Sequence, residues 1–127
     1  MPKKKALITG ITGQDGAYLS NLLLKKGYEV TGGERQNASS NLWRLRALGI
    51  EKKIKITSFE LLEENSINRE IRRGRYDEIY NLAAQSYVDK SFASPIYTAD
   101  VNALGVTRIL EAIRQFSFKT KFYQASS

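Results

Sequence analysis

Short apolar runs alternate along this chain with longer stretches in which apolar residues recur every three or four positions. Ala6-Leu7-Ile8 reads as a buried strand that stops at Thr9-Gly10. Leu19, Leu22 and Leu23 then share a helical face, and Gly27 suits the residue just past the helix end. Residues 28–33 read as a second strand. Leu42, Leu45 and Leu48 predict a short helix with Asn41 as N-cap and Gly49 at its end. Residues 53–57 alternate polar and apolar and predict a third strand. A helix to about Arg73, closed by Gly74, precedes a fourth strand at residues 77–84. Ser94-Pro95 is a helix start, with Ser as N-cap and Pro in the first turn. Ile96, Ala99, Ala103, Val106, Leu110 and Ile113 predict a single apolar face behind it. Residues 120–125 predict a fifth strand.

Strands alternating with helices predict a parallel sheet covered on both faces. The expected fold class is α/β, a Rossmann-type doubly wound sheet of about five strands in the order 3-2-1-4-5. Residues 1–127 would form one dinucleotide-binding domain of this type. Right-handed crossovers bring the carboxyl ends of strands one and four to the switch point, where ligands bind.

Three glycines, Gly10, Gly13 and Gly16, fill the turn between the first strand and the first helix. The first lets the chain turn sharply, the second lets backbone approach a pyrophosphate, and the third lets helix and strand pack closely. The helix N-terminus faces the phosphates with its partial positive charge. The spacing is G-x-x-G-x-x-G rather than the commoner G-x-G-x-x-G, and a ligand-free glycine turn is the alternative. At the end of the second strand stand Glu34 and Arg35. An acid there binds the ribose hydroxyls of NAD, whereas an arginine binds the 2′-phosphate of NADP. The alternative is a pair of exposed loop charges. Residues 80–84 should form a ligand-facing strand end, with ordinary helix packing as the rival. Ser86 and Tyr87 are polar candidates in the loop that follows.

Composition narrows the chemistry. In 127 residues, 42% are hydrophobic and 26% charged, which suits a globular domain with one modest core. Cysteine and histidine are both absent, which removes thiolate chemistry, disulfides, an imidazole base and histidine metal ligands. No apolar run approaches the roughly 20 residues of a membrane span, and no signal-peptide core follows the basic start, so a cytoplasmic location is expected. The net charge of +7 raises nucleic-acid binding. The densest basic group, Arg69, Arg72, Arg73 and Arg75, lies near a predicted helix end without interleaved aromatics. It reads as a solvated helix end, with help in binding anionic ligands. Glu60, Glu63 and Glu64 could suggest a metal site, but Glu63 and Glu64 more simply complement a helix N-terminus.

Several stretches together carry a resemblance: Thr9-Gly10-Ile11-Thr12-Gly13-Gln14-Asp15-Gly16, Asn41-Leu-Trp-Arg-Leu45, Asn81-Leu-Ala-Ala-Gln-Ser86, Tyr97-Thr-Ala-Asp-Val101 and Phe122-Tyr-Gln-Ala-Ser126. In these motifs and their order the chain resembles the GDP-mannose 4,6-dehydratases, extended short-chain dehydrogenase/reductases, over essentially its whole length. The resemblance implies a lyase acting on a nucleotide sugar with tightly held NADP. Gly10, Ile11, Thr12, Gly13, Gln14, Asp15 and Gly16 would cradle the pyrophosphate, and Arg35 would meet the 2′-phosphate. Glu60 and Leu61 would sit at the adenine, with Glu60 where the family usually has Asp. Leu82, Ala83, Ala84, Gln85 and Ser86 would line the cofactor, and Tyr97 would contact it. Ser127 falls where the family places its catalytic Thr.

In that family the cofactor accepts a hydride from C4 of the sugar. A glutamate removes the C5 proton, water leaves from C6, and the hydride returns to C6. The sequence departs from the pattern in three further places. Arg35-Gln-Asn-Ala38 replaces the usual Arg-Arg-Ser-Ser, so that NAD competes with NADP; Ser127 replaces Thr; and no Tyr-x-x-x-Lys pair occurs in these residues. The family's glutamate would fall two positions beyond Ser127. The 127 residues are therefore expected to be the cofactor-binding portion, cut before the later strands and the substrate domain, inactive alone and marginally soluble. An epimerase or reductase of the extended family, or a non-catalytic dinucleotide-binding module, are the alternatives. The expected partners are GDP-mannose or a related nucleotide sugar and, in the full-length protein, further copies of itself through the helix over residues 96–116. Neither nucleic acid nor membrane is expected.

Overall fold

The structure is a computed structural model that describes residues 3–34, 42–61, 63–82, 104–116 and 119–125. Five strands, β1 (Lys5–Thr9), β2 (Glu29–Glu34), β3 (Lys55–Ser58), β4 (Glu78–Asn81) and β5 (Lys121–Gln124), form one sheet in the order β3-β2-β1-β4-β5. Every pairing is parallel, as the strand–helix alternation requires. The helices are α1 (Gln14–Lys25), α2 (Trp43–Ala47), α3 (Glu64–Gly74) and α4 (Gly105–Phe116).

The central strand explains the layers. Ala6, Leu7 and Ile8 are fully buried, so β1 is covered on both faces. Leu7 points to one side with Ile79, Phe59, Ile67, Ile71 and Ile109, under α3 and α4. Ala6 and Ile8 point to the other with Val30, Ala17, Leu23 and Leu45, under α1 and α2.

Local boundaries differ from expectation in informative ways. A 3-10 turn at Glu51–Lys53 delays the third strand to Lys55. α3 includes Gly74, and Arg75 takes the left-handed position (φ 49°) instead. Gly74 is needed for space, since a Cβ there would lie 2.2 Å from the Tyr76 ring. Leu22 and Leu110 face solvent, at 49% and 46% exposure, against the predicted apolar faces. Each helix buries a narrower row: Gly16, Ala17, Ser20 and Leu23 in α1, and Gly105, Ile109, Ala112 and Ile113 in α4. Small residues in those rows permit close packing: a Cβ on Gly16 would lie 2.5 Å from the Gly10 carbonyl oxygen, and one on Gly105 3.2 Å from Leu61 Cβ. Asn41, Ser94, Pro95, Ile96, Ala99 and Ala103 lie outside the described residues.

Buried carboxylates are tied by hydroxyls. Glu70 accepts from the Tyr76 hydroxyl at 2.6 Å, the Thr57 hydroxyl at 3.0 Å and Arg73 Nη2 at 3.1 Å. Glu78 accepts from Tyr28 at 2.8 Å and from Tyr80 at 2.5 Å, and Tyr80 stacks on Tyr123 with centroids 4.7 Å apart. Burial, and then the bond to Glu70, push the Tyr76 phenol well above its ordinary value. The folded state holds that proton more tightly than the unfolded chain does. The contribution is complete below about pH 10 and is lost as pH rises further. Urea unfolding at stepped alkaline pH is expected to show this decline. Tyr76→Phe should lower stability at neutral pH by about 1–2 kcal/mol and make the alkaline decline shallower. An unchanged alkaline slope in that variant would contradict this account.

Candidate functional site

The glycine turn is built by three different constraints. Gly10 has φ +72°, and its N–H donates to the Gly33 carbonyl at 3.3 Å. A Cβ on Gly16 would stand 2.5 Å from the Gly10 carbonyl oxygen and 2.7 Å from Ile11 Cα, so α1 presses directly on the turn. Ile11 sends its fully buried side chain across β2, where a Cβ on Gly32 would meet Ile11 Cδ1 at 2.6 Å.

Among the described residues, nothing constrains Gly13 in this way. Its backbone is extended (φ −78°, ψ 172°), and a Cβ would lie 3.5 Å from Gly10 O, an ordinary contact. It is the N-cap of α1 and supplies no side chain to cap the first-turn amides of Gln14, Asp15 and Gly16. Gly13, Gln14 and Asp15 are exposed. Among the described residues, the turn thus presents N–H groups without a side-chain cap beside a position that lacks a Cβ although there is room for one. That cradle fits an anionic group such as a pyrophosphate.

Two side chains hold the Thr12 backbone, one at each of its two peptide groups. Its N–H donates to Glu34 Oε1 at 2.9 Å, and its carbonyl accepts from Arg44 Nη1 at 3.0 Å. Glu34 is 8% exposed, so it is not the exposed loop charge considered from sequence. Arg44 lies 4.4 Å over the Trp43 ring. A cleft of about 320 Å³ between α1 and α2 opens beside it, walled by Tyr18, Trp43 and Leu48. Arg44 belongs to the motif around Asn41–Leu45, but nothing local marks its reach to the turn.

A polar ladder crosses the strand ends. The Thr9 hydroxyl donates to Asn81 Oδ1 at 2.5 Å, and Asn81 Nδ2 donates to Gln124 Oε1 at 2.7 Å. It ties β1, β4 and β5 at their carboxyl edges. Sequence reasoning assigns none of these three a role of this kind. Leu82 donates its N–H to Thr9 O at 3.2 Å and is half-buried against the α1 layer.

Glu60 and Leu61 follow β3 on the same edge. Glu60 is half-buried, and its N–H donates to Ser66 Oγ at 3.3 Å. Leu61 is 7% exposed and packs its side chain in the α3–α4 layer. Its carbonyl accepts from Arg108 Nη1 at 2.8 Å. Arg35, Ala83, Ala84, Gln85, Ser86, Tyr97 and Ser127 lie outside the described residues. The Arg69–Arg75 group sits where α3 leads into the start of β4, at the sheet edge opposite the glycine turn. It is a solvated helix end and does not assist this site. Among the described residues, no cluster of three or more acidic side chains is placed to hold a metal ion.

Fold and turn define a Rossmann-type α/β domain with its glycine turn at the switch point of a parallel sheet. A family model described as GDP-mannose 4,6 dehydratase matches residues 7–127, and the chain belongs to that family. It is 48% identical to the GDP-mannose 4,6-dehydratase of Vibrio cholerae over 98% of this chain and 36% of that protein. It is 43% identical to the human GDP-mannose 4,6 dehydratase over 99% of this chain and 36% of that protein. The chain therefore spans about a third of the length of these relatives. Among solved structures it is similar to the UDP-glucose 4-epimerase of Thermus thermophilus in complex with NAD. That match has a TM-score of 0.72 and 27% identity over 88% of this chain and 34% of that one. The Campylobacter jejuni UDP-Glc/GlcNAc 4-epimerase, at 23% identity and TM-score 0.81 over 97% of this chain and 37% of that one, shares the fold.

The two glycines of the turn should separate in mutagenesis. Gly16→Ala is expected to cost roughly 2 kcal/mol or more in urea unfolding, because the clash is with main chain. Gly13→Ala should stay within about 1 kcal/mol of the parent. The reverse order would refute the packing account.

Proposed function

We propose that this chain forms the cofactor-binding part of a GDP-mannose 4,6-dehydratase. The observation that carries the reading is the cradle at Gly13, in a chain of that family, where no clash among the described residues requires a glycine. A bound nicotinamide dinucleotide supplies the reversible hydride acceptance that the reaction needs.

In this reading the chain's own residues bind and orient. The first-turn amides of α1 hold the pyrophosphate, and Thr12, braced by Glu34 and Arg44, keeps the turn in shape. Glu60 and the backbone at Leu61 lie by the adenine. Leu82, Ala83, Ala84, Gln85 and Ser86 run along the cofactor, and Tyr97 contacts it. Ser127 places a hydroxyl at the sugar O4 region. Arg35 is the residue through which the resemblance implies NADP. The substrate is GDP-mannose or a close nucleotide sugar, the product is the 4-keto-6-deoxy sugar nucleotide, and the protein works as a homo-oligomer in the cytoplasm. Among the described residues no helix is long and apolar enough to cross a membrane.

The test is product analysis. Full-length protein from the gene containing this chain, incubated with GDP-mannose and a catalytic amount of NADP or NAD, is expected to yield the 4-keto-6-deoxy product without accumulating reduced nicotinamide. Unchanged GDP-mannose together with epimerisation of UDP-glucose would replace this reading with an epimerase.

A further inference from the structure

Thr9, Asn81 and Gln124 are register partners in one row of the sheet. They lie on the same face as the apolar row of Leu7, Ile79 and Phe122 and directly beyond it. The bonds along the row run one way. Thr9 donates to Asn81 Oδ1, which turns the Asn81 amide nitrogen toward Gln124 Oε1. Gln124 Nε2 is thereby left as a donor, and it holds the Ala125 carbonyl at 3.1 Å. The Ala125 N–H donates to the Asn81 carbonyl at 3.3 Å, one pairing past the end of β5. Ala125 is exposed, so water could satisfy its carbonyl, yet a side chain takes it.

Both main-chain polar groups of Ala125 are therefore tied just before Ser126 and Ser127. Because a peptide is planar, holding the Ala125 carbonyl fixes the plane of the link to Ser126 and the direction in which the chain leaves β5. Resting on the reading that the protein is a GDP-mannose 4,6-dehydratase with the Ser127 hydroxyl at the sugar, we propose that Gln124 is a positioning residue for that reaction. Its amide, oriented through Asn81 and Thr9, aims the segment that carries Ser127. A reacting group displaced by about 1 Å can cost on the order of a hundredfold in rate, so one exposed hydrogen bond here weighs more on turnover than on stability.

Steady-state kinetics of the full-length protein with GDP-mannose test this. Gln124→Ala is expected to lower kcat at least about tenfold, with KM within about twofold of the parent and an unchanged melting temperature. Gln124→Glu keeps an oxygen for Asn81 but has no donor for Ala125, so it should lose kcat as Gln124→Ala does. In a Ser127→Ala background, Gln124→Ala should lower kcat little further, because both substitutions act through one hydroxyl. Full kcat in Gln124→Glu would assign the side chain to the ladder alone and overturn the proposal. So would additive losses in the double variant, a drop in melting temperature that tracks the lost activity, or an active parent indifferent to Ser127→Ala. A folded parent that leaves GDP-mannose unchanged would instead overturn the dehydratase reading itself.

Discussion

The whole arrangement depends on how closely the turn between β1 and α1 approaches its neighbours. Gly16 sits where any side chain would strike the Gly10 carbonyl, and Ile11 occupies the space that Gly32 leaves open. Helix, turn and second strand are locked into one piece by absent side chains. The Gly16 contact is with main chain, which no change of rotamer can relieve, and the Gly32 contact is with the fully buried Ile11 side chain, so the lock is stiff. That stiffness keeps the α1 amides aimed at one place, and preorganised donors of this kind hold an anion without first being rearranged.

Around that lock, buried charge is held by local partners. Glu34 caps a turn amide, Glu70 gathers two hydroxyls and an arginine, and Glu78 gathers two tyrosines. Each carboxylate is removed from water and given donors in return, the condition under which burial of a charge is tolerated. Of the three, Glu34 alone lies at the carboxyl edge of the sheet. The other two brace the body of the domain, Glu70 between β3 and α3 and Glu78 across the α1 face of β4. The ladder of Thr9, Asn81 and Gln124 does for the strand ends what the carboxylates do elsewhere, joining three strands through side chains where backbone pairing runs out.

Much of this is legible in the chain. The alternation of short apolar runs with amphipathic stretches carries the parallel sheet, and crossover handedness carries the strand order. The motifs carry the family. Glycine spacing assigns Gly10 the sharp turn and Gly16 the close approach, and the structure shows both. Gly32 reads from sequence as part of a strand with no reason for being glycine, because its partner, Ile11, is a neighbour only after β1 and β2 pair. Leu22 and Leu110 read as core because periodicity identifies a stripe but not its width.

What the sequence determined by itself is therefore the set of elements, their order in the sheet and the position of the glycine turn. These follow from periodicity, local turn chemistry and chirality, which act over a few residues at a time. Only the tertiary structure decided which leucines meet water, why Gly13 differs from Gly16, and that Glu34 faces Thr12 instead of solvent. The glycine difference arises from the closeness of α1 to the turn, and others of these facts are contacts between residues far apart in the chain, 22 positions for Thr12 and Glu34 and 72 for Thr9 and Asn81. No local pattern encodes such a distance; strand pairing brings the partners together, and close packing then leaves each side chain one place to go.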